Sequence, residues 1–287
     1  MKPTLITYTN GFEGTWPAIE YSAWMAHLMD ADLILSGVVE VQDDDHPLEE
    51  MFSRAVTLFQ ENQVAYSLEL ENGLVEDCIS RRFSSALEDS DSLSNQFLVV
   101  GKFGRTQVRR MLVGNTFRKI MESVSIPILF VPAVRIPIKR ILICMGGIGN
   151  PFSSEHLGLK AAQINKAAIT FLTIVPPVDL DYPEAREVRD HWKNLAETDT
   201  LPGRTLRDGL KRAQAGGVEA RIKIRHGNIV EQILLEIKET NYDLICMGSQ
   251  YSFHGLRQVY SPNITADVAE LAHIPILTQR FPKPQGK

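Results

Sequence analysis

The sequence predicts two doubly wound α/β domains in tandem, each built on a five-stranded parallel sheet, and three observations carry that prediction. Short apolar runs bounded by turn residues alternate with segments of helical periodicity along the chain. The same landmarks then recur in the same order. "TLITYTNG" (4–11) is answered by "RILICMGG" (140–147), "FLVVGKFG" (97–104) by "DLICMGSQ" (243–250), and "SVSIPILFVP" (123–132) by "LAHIPILTQR" (271–280). Finally, Pro132 and Pro137 bracket an extended connector that cannot be helical, which sets a boundary near Arg135 and domains at 1–134 and 135–287.

In the first half "TLITYT" (4–9) is a strand, because apolar and β-branched residues run up to a turn at Asn10 and Gly11. A helix follows over 14–30, then a strand over 31–40, a helix over 47–62 and a strand over 65–71. Helix 74–89, strand 96–101, helix 116–124 and strand 127–132 complete it. The second half repeats the order, with strands at 141–146, 168–175, 219–225, 243–248 and 274–279. Its helices fall at 154–166, 205–217, 229–241 and 264–273. Strands this apolar, joined through helices, belong to a parallel sheet covered on both faces.

Composition narrows the function. At 287 residues, 44% hydrophobic and 23% charged, the chain reads as a soluble globular protein with no apolar run long enough for a membrane helix. Its opening, "MKPTLITYTNG", enters a strand directly and has no export-signal pattern, so the expected location is the cytoplasm. A net charge of -5 argues against a general nucleic-acid binder. Cys78, Cys144 and Cys246 lack metal-ligand spacing and read as buried thiols, with a redox pair of Cys144 and Cys246 as the alternative.

The segment after the fourth strand stands out. Gly101 and Gly104 have the spacing of a tight turn whose backbone N–H groups an anion can approach, and Gly114 precedes "NTFRK", with Asn115 a helix cap. Six cations, Lys102, Arg105, Arg109, Arg110, Arg118 and Lys119, fall between Phe97 and Met121 with no Asp or Glu among them. In a doubly wound sheet a ligand binds at the carboxyl ends of the strands, where this segment lies. Phosphate is the anion these groups suit, while a solvated helix face explains Arg109 and Arg110 equally well.

These residues resemble the universal stress proteins in their tandem, two-domain form. Nucleotide-binding members of that family carry GxxG, nine residues, then Gly and Ser or Thr; Gly101, Gly104 and Gly114 match, with Asn115 at the Ser/Thr position. The resemblance implies binding of ATP, or of AMP or ADP, with Mg2+ as an accompanying ion. It places Tyr8, Thr9 and Asn10 near base and ribose and Val38 against adenine. Around ribose and phosphates it places Val100, Gly101, Phe103, Gly104, Arg105, Gly114, Asn115, Thr116 and Phe117. Asn10 stands where nucleotide-binding members usually have Asp, which removes a charge that could hold a metal through water. The resemblance further implies pairing through last strands, as an intramolecular pseudo-dimer of the two domains or a homodimer.

The second half departs further, with Gly146 and Gly147 at the Asp position, no glycine at the later motif positions, and Pro262 where Gly114 stands in the first half. ATP binding in the family manner is not expected there. The glycines of "MGGIGNPFSS" lack GxGxxG spacing and shape a helix entry, with Ser153 or Ser154 as cap. The acidic stretch "VQDDDHPLEE" (41–50) reads as a solvated loop rather than a cation site.

No hydrolase elbow, zinc motif, Walker motif or kinase signature occurs, and neither "TNGFEG" nor "MGGIGN" supplies the SGGxDS-like loop of an ATP pyrophosphatase. His226, at the "RHGN" turn, could reach the strand ends but lacks a visible carboxylate partner. The expected function is a nucleotide-dependent stress or signalling protein with at most slow ATP hydrolysis. The alternative is an adaptor that works through protein contacts or another ligand.

Overall fold

The computed structural model describes residues 2–40, 47–85, 95–104, 116–145, 152–177, 183–249 and 264–280. The chain falls into two compact units that meet in sequence between Val134 and Arg135, with residues from Gln279 onward grouped with the first.

In the first unit, β1 (Thr4–Thr9) leads through a short 3-10 turn (Glu13–Thr15) into α1 (Trp16–Met29). Then come β2 (Asp32–Val39), α2 (Leu48–Glu61), β3 (Tyr66–Asn72), α3 (Val75–Ser85), β4 (Gln96–Val100), α4 (Thr116–Ser123) and β5 (Ile128–Phe130). The strands are all parallel and run in the order β3-β2-β1-β4-β5. The winding direction therefore reverses between β1 and β4, which opens a crevice at their carboxyl ends.

Register assigns the faces. Tyr8 lies beside Ser36 and Val100, so by alternation Val38, Glu69, Glu71 and Phe130 share its face. The opposite face presents Leu5, Leu33 and Leu35 to α1 and α2. Met51, Ala55 and Phe59, spaced at four-residue intervals on α2, complete that core with Ile19 and Ala23 of α1. Each of these side chains is buried, and full burial of a large apolar side chain contributes about 1.5–3 kcal/mol.

The second unit follows the same plan: β6 (Arg140–Cys144), α5 (Phe152–Asn165), β7 (Ala168–Val175), α6 (Pro183–Asp190), a 3-10 helix (Trp192–Glu197), α7 (Leu201–Ala215), β8 (Ala220–His226), α8 (Ile229–Glu239), β9 (Leu244–Ser249), α9 (Ile264–Leu271) and β10 (Ile276–Arg280). Its order is β10-β9-β6-β7-β8. Two glycines mark the repeat: Gly73 after β3 has φ +130 and Gly227 after β8 has φ +138, backbone that favours glycine. Asn228 then caps α8 by accepting a hydrogen bond from the Glu231 N–H at 3.2 Å.

Three sequence expectations need correction. Helix α6 and the 3-10 helix after it were not foreseen. Helix α7 begins at Leu201 rather than near Thr205, with the Thr200 hydroxyl accepting from the Gly203 N–H at 3.3 Å. Helix α5 already starts at Phe152, so Ser153 and Ser154 lie in its first turn and neither caps it.

Candidate functional site

The crevice is built by two turns that interlock. The first, 10–15, leaves β1; the second, 101–104, leaves β4. The Lys102 N–H donates to the Gly14 carbonyl at 2.9 Å and ties them together. Glycine is demanded at this junction by close approach. A Cβ on Gly101 would lie 2.7 Å from Thr15 Cα and 2.9 Å from the Gly14 oxygen. A Cβ on Gly104 would lie 2.6 Å from Phe12 Cε2 and nearer still to Cγ and Cδ2. A Cβ on Gly14 would meet the same ring, 2.6 Å from Cε1, so Phe12 is flanked by two glycines.

Of the site residues expected from the sequence, Tyr8 is fully buried and its hydroxyl donates to Glu71 Oε1 at 3.1 Å. Burial pushes its phenol up, and the neighbouring Glu71 carboxylate adds to the shift. Glu71 also accepts from the Ser36 hydroxyl at 2.9 Å, and Arg82 pairs with Glu69 at 2.5 Å. Thr9 turns the other way, its hydroxyl bonded to Thr15 Oγ1 at 2.6 Å and accepting from the Gly11 N–H at 3.1 Å. Val38 and Val100 are buried at their strand ends. Phe117, on α4, stacks on Phe130 with ring centroids 4.6 Å apart. Thr116 opens that helix, and Phe103 lies within the second turn. Arg105, Gly114 and Asn115 lie outside the described residues, as do Arg109 and Arg110. Among the remaining cations, Lys119 reaches Glu76 at 3.7 Å.

Asn10 is different. The residue is 4% exposed, its Oδ1 accepts from the Phe12 N–H at 3.4 Å, and its Nδ2 has no hydrogen-bond partner among the described residues. A buried amide donor left unpaired costs about 1–3 kcal/mol, which an acceptor oxygen placed there would offset. An amide N–H₂ suits a ribose hydroxyl or a phosphate oxygen and does not suit a cation. Among the described residues no group of three or more His, Cys, Asp or Glu could hold a metal ion.

Sequence reasoning missed Phe12. Its only signal was an aromatic residue between two glycines, "GFEG", directly after a strand. The ring also borders a cavity of about 270 Å3 on the α2 side of the first turn, lined in addition by Glu13, Glu50, Met51 and Arg54. Arg54 grips Glu13 with two hydrogen bonds, 2.7 and 3.1 Å, and lies 4.2 Å over the Trp16 ring. Those hydrogen bonds hold the Glu13 carboxyl below its ordinary range. Among the described residues, none of the expected site residues lines this cavity.

In the second unit, Cys144 and Cys246 do sit on neighbouring strands, but register pairs Ile143 with Cys246 and Cys144 with Met247. Residues one step out of register point to opposite faces, so these thiols do not face each other as a redox pair. His226 stacks on Trp192, ring centroids 5.6 Å apart.

A family model of the universal stress protein family matches residues 137–280, half of the chain. The chain belongs to that family. The match falls in the half whose glycines depart most from the nucleotide-binding pattern. Two solved structures are similar over nearly the whole chain. One is a universal stress protein from Archaeoglobus fulgidus DSM 4304, 12% identical with a TM-score of 0.67, covering 98% of this chain and 97% of that one. The other is a putative universal stress protein from Pseudomonas aeruginosa UCBPP-PA14, 11% identical with a TM-score of 0.67, covering 97% and 93%. At such identities the likeness is one of fold. No curated protein matches the chain. Among the described residues no helix is long and apolar enough to cross a membrane.

Proposed function

We propose that the first unit binds an adenine nucleotide in the crevice between β1 and β4, and that the protein acts as a nucleotide-responsive stress or signalling protein rather than as an enzyme. The observation that carries this reading is Asn10 Nδ2, a buried donor without an acceptor at the point where the winding direction reverses. The Gly101 to Gly104 turn beside it supports the reading, and so does the resemblance of its glycine spacing to nucleotide-binding relatives. Residues that would hold the nucleotide are Asn10, Val38, Val100 and the backbone of Gly101 to Gly104. Nucleotide binding is proposed for this unit alone.

A second reading, the adaptor that works without nucleotide, is favoured by the Phe12 ring lying against Gly104 and Gly14, which gives both glycines a packing role. Calorimetric titration of the nucleotide-stripped full chain separates the two. One adenine nucleotide per chain, bound more weakly by an Asn10→Leu variant, supports the first; absence of binding for ATP, ADP and AMP alike leaves the adaptor.

A further inference from the structure

We propose that two copies of this chain join edge to edge, with β3 of one copy pairing antiparallel with β8 of the other. Each is an outer strand of its own unit's sheet, and among the described residues β3 pairs with β2 alone and β8 with β7 alone. A strand so placed presents a row of backbone donors and acceptors that a further strand can satisfy. Folded proteins commonly guard such an edge with lysine or proline, and β3, "YSLELEN", has neither. It presents leucine instead: Leu68 is 41% exposed and Leu70 62%.

Alternation gives both strands an apolar face and a charged one. In β3, Tyr66 rests on Phe59 of α2 with ring centroids 5.3 Å apart, so Leu68 and Leu70 lie on the α2 face. Glu69 and Glu71 lie on the opposite face, where Glu69 meets Arg82 of α3. In β8, "ARIKIRH", His226 stacks on Trp192, so the half-buried Ile222 and Ile224 share the face of the 3-10 helix. Arg221 and Lys223 share the other face with Arg225, which meets Glu236 of α8. The two strands hold the same place in the same winding order. A half-turn about the sheet normal that sets one edge against the other therefore runs the strands antiparallel and keeps corresponding faces together. Leu68 and Leu70 of one copy then extend the apolar face of Ile222 and Ile224, while Glu69 and Glu71 come beside Arg221 and Lys223.

Charge selects this pairing over the two like-with-like alternatives. β3 against β3 sets Glu69 and Glu71 against their own copies, and β8 against β8 does the same with Arg221 and Lys223. Like charges across a strand pair destabilise it and opposite charges stabilise it. These charges are within reach of a partner, because Arg221 and Lys223 are exposed and Glu69 keeps 39% of its side chain exposed beside Arg82. Each chain carries one β3 and one β8, so the contact is heterologous and either propagates head to tail or closes on itself. It does not use β5 and β10, the last strands through which the family resemblance implies pairing.

Sedimentation velocity on the full chain, over a range of concentrations at low and high salt, compares the wild type with Leu70→Lys, which blocks β3, and Lys223→Glu, which blocks β8. Both positions are exposed, and thermal melts establish that each variant is folded; Leu68→Lys and Arg221→Glu stand in for a variant that is not. The wild type should reach a weight-average mass at least twice that of one chain as concentration rises, and associate less in high salt. Each variant alone should lose this association. An equimolar mixture should recover a species of two chains, because the first variant keeps β8 and the second keeps β3. A wild type that stays a single chain overturns the proposal. Association that persists in Lys223→Glu alone overturns it in favour of β3 against β3, and persistence in Leu70→Lys alone in favour of β8 against β8. Persistence in both assigns the contact to another surface, such as the last strands. A mixture that recovers nothing overturns the proposal as well, because the contact is then not one between unlike edges.

Discussion

Arg225 holds the buried Glu236 carboxylate in the second unit, with its Nη2 2.6 Å from Glu236 Oε2 and its Nε donating to the same oxygen at 2.7 Å. The pair joins β8 to α8 and is fenced on the other side by the Tyr242 hydroxyl, which donates to Oε1 at 2.8 Å. Arg225 also pairs with Glu239. Counted from the equivalent glycines Gly73 and Gly227, Arg225 stands where Glu71 stands in the first unit, and Glu236 where Arg82 stands. The repeat has kept an ionic tie between its third strand and the helix after it while exchanging the charges, and in the first unit Arg82 finds its partner two residues earlier, at Glu69.

That tie makes the second unit sensitive to acid. Burial works to raise the Glu236 carboxyl, but the hydrogen bonds from Arg225 and Tyr242 outweigh it and hold the group below its ordinary 4.5. A folded-state value below the unfolded one contributes stability that is present above about pH 4.5 and is lost as pH falls through the folded value. Urea midpoints should therefore decline below that pH more steeply for the wild type than for Glu236→Gln. Arg225→Met should cost about 3–5 kcal/mol at neutral pH, because it leaves a buried carboxylate without its cation. Equal acid slopes for wild type and Glu236→Gln would show that the pair does not govern the response.

The glycine junction gives a prediction about packing alone. At Gly101 the obstacles to a Cβ are backbone atoms, Thr15 Cα and the Gly14 oxygen, which cannot move without shifting the start of α1. At Gly104 the obstacle is the Phe12 side chain. Gly101→Ala should therefore destabilise by about 1–3 kcal/mol, and Gly104→Ala by less. A Phe12→Ala/Gly104→Ala double mutant should be more stable than the sum of its single mutants implies, by about 0.5–3 kcal/mol in a double-mutant cycle of chemical denaturation. Additive effects would mean that the ring and the glycine are independent.

Thiol chemistry should be quiet. Burial pushes Cys144 up to about 12 and moves Cys246 in the same direction, while Cys78 is buried and raised by burial as well. Because Cys144 and Cys246 point to opposite sides of the β6-β9 pair, a mild oxidant should produce no intramolecular disulfide between them. Intact mass after diamide treatment and the rate of thiol labelling at pH 8 check this. A loss of two mass units with rapid protection of two thiols would contradict the register.

Most strands were legible as short apolar runs ended by turn residues, and β3 and β8 by their alternation of apolar and polar residues. β1 at Thr4–Thr9 and β7 at Ala168–Val175 agree with their expected limits to the residue. Helix α6 was not legible for a physical reason: "PEAREVRD" has almost no apolar face, so periodicity gives it no signal. The start of α7 was hidden because Pro202 and Gly203 look like breakers. Yet proline is tolerated in a first helical turn, and a Cβ at Gly203 would lie 2.5 Å from the Leu195 oxygen. At the candidate site, the spacing of Gly101 and Gly104 was visible but what fills their space was not, because Phe12 lies far from both along the chain and only the fold brings it there.

Asn10 tests whether the crevice is a binding site or merely a packed junction, because the two roles predict opposite changes in stability. In the free protein Nδ2 is buried without a partner, and Oδ1 makes only a long 3.4 Å contact with the Phe12 N–H. Replacing Asn10 by Leu removes an unsatisfied donor and adds apolar contact, so the unfolding midpoint of the ligand-free protein should stay level or rise. The same change removes the donor proposed for the ligand, so adenine-nucleotide affinity should fall roughly 3- to 10-fold, the range expected for one net hydrogen bond. Stability gained while affinity is lost is the trade expected of a residue kept for a ligand. A midpoint that drops by several degrees with affinity unchanged would instead assign Asn10 to holding the 10–15 turn, and the acceptor for Nδ2 would have to be sought within the protein.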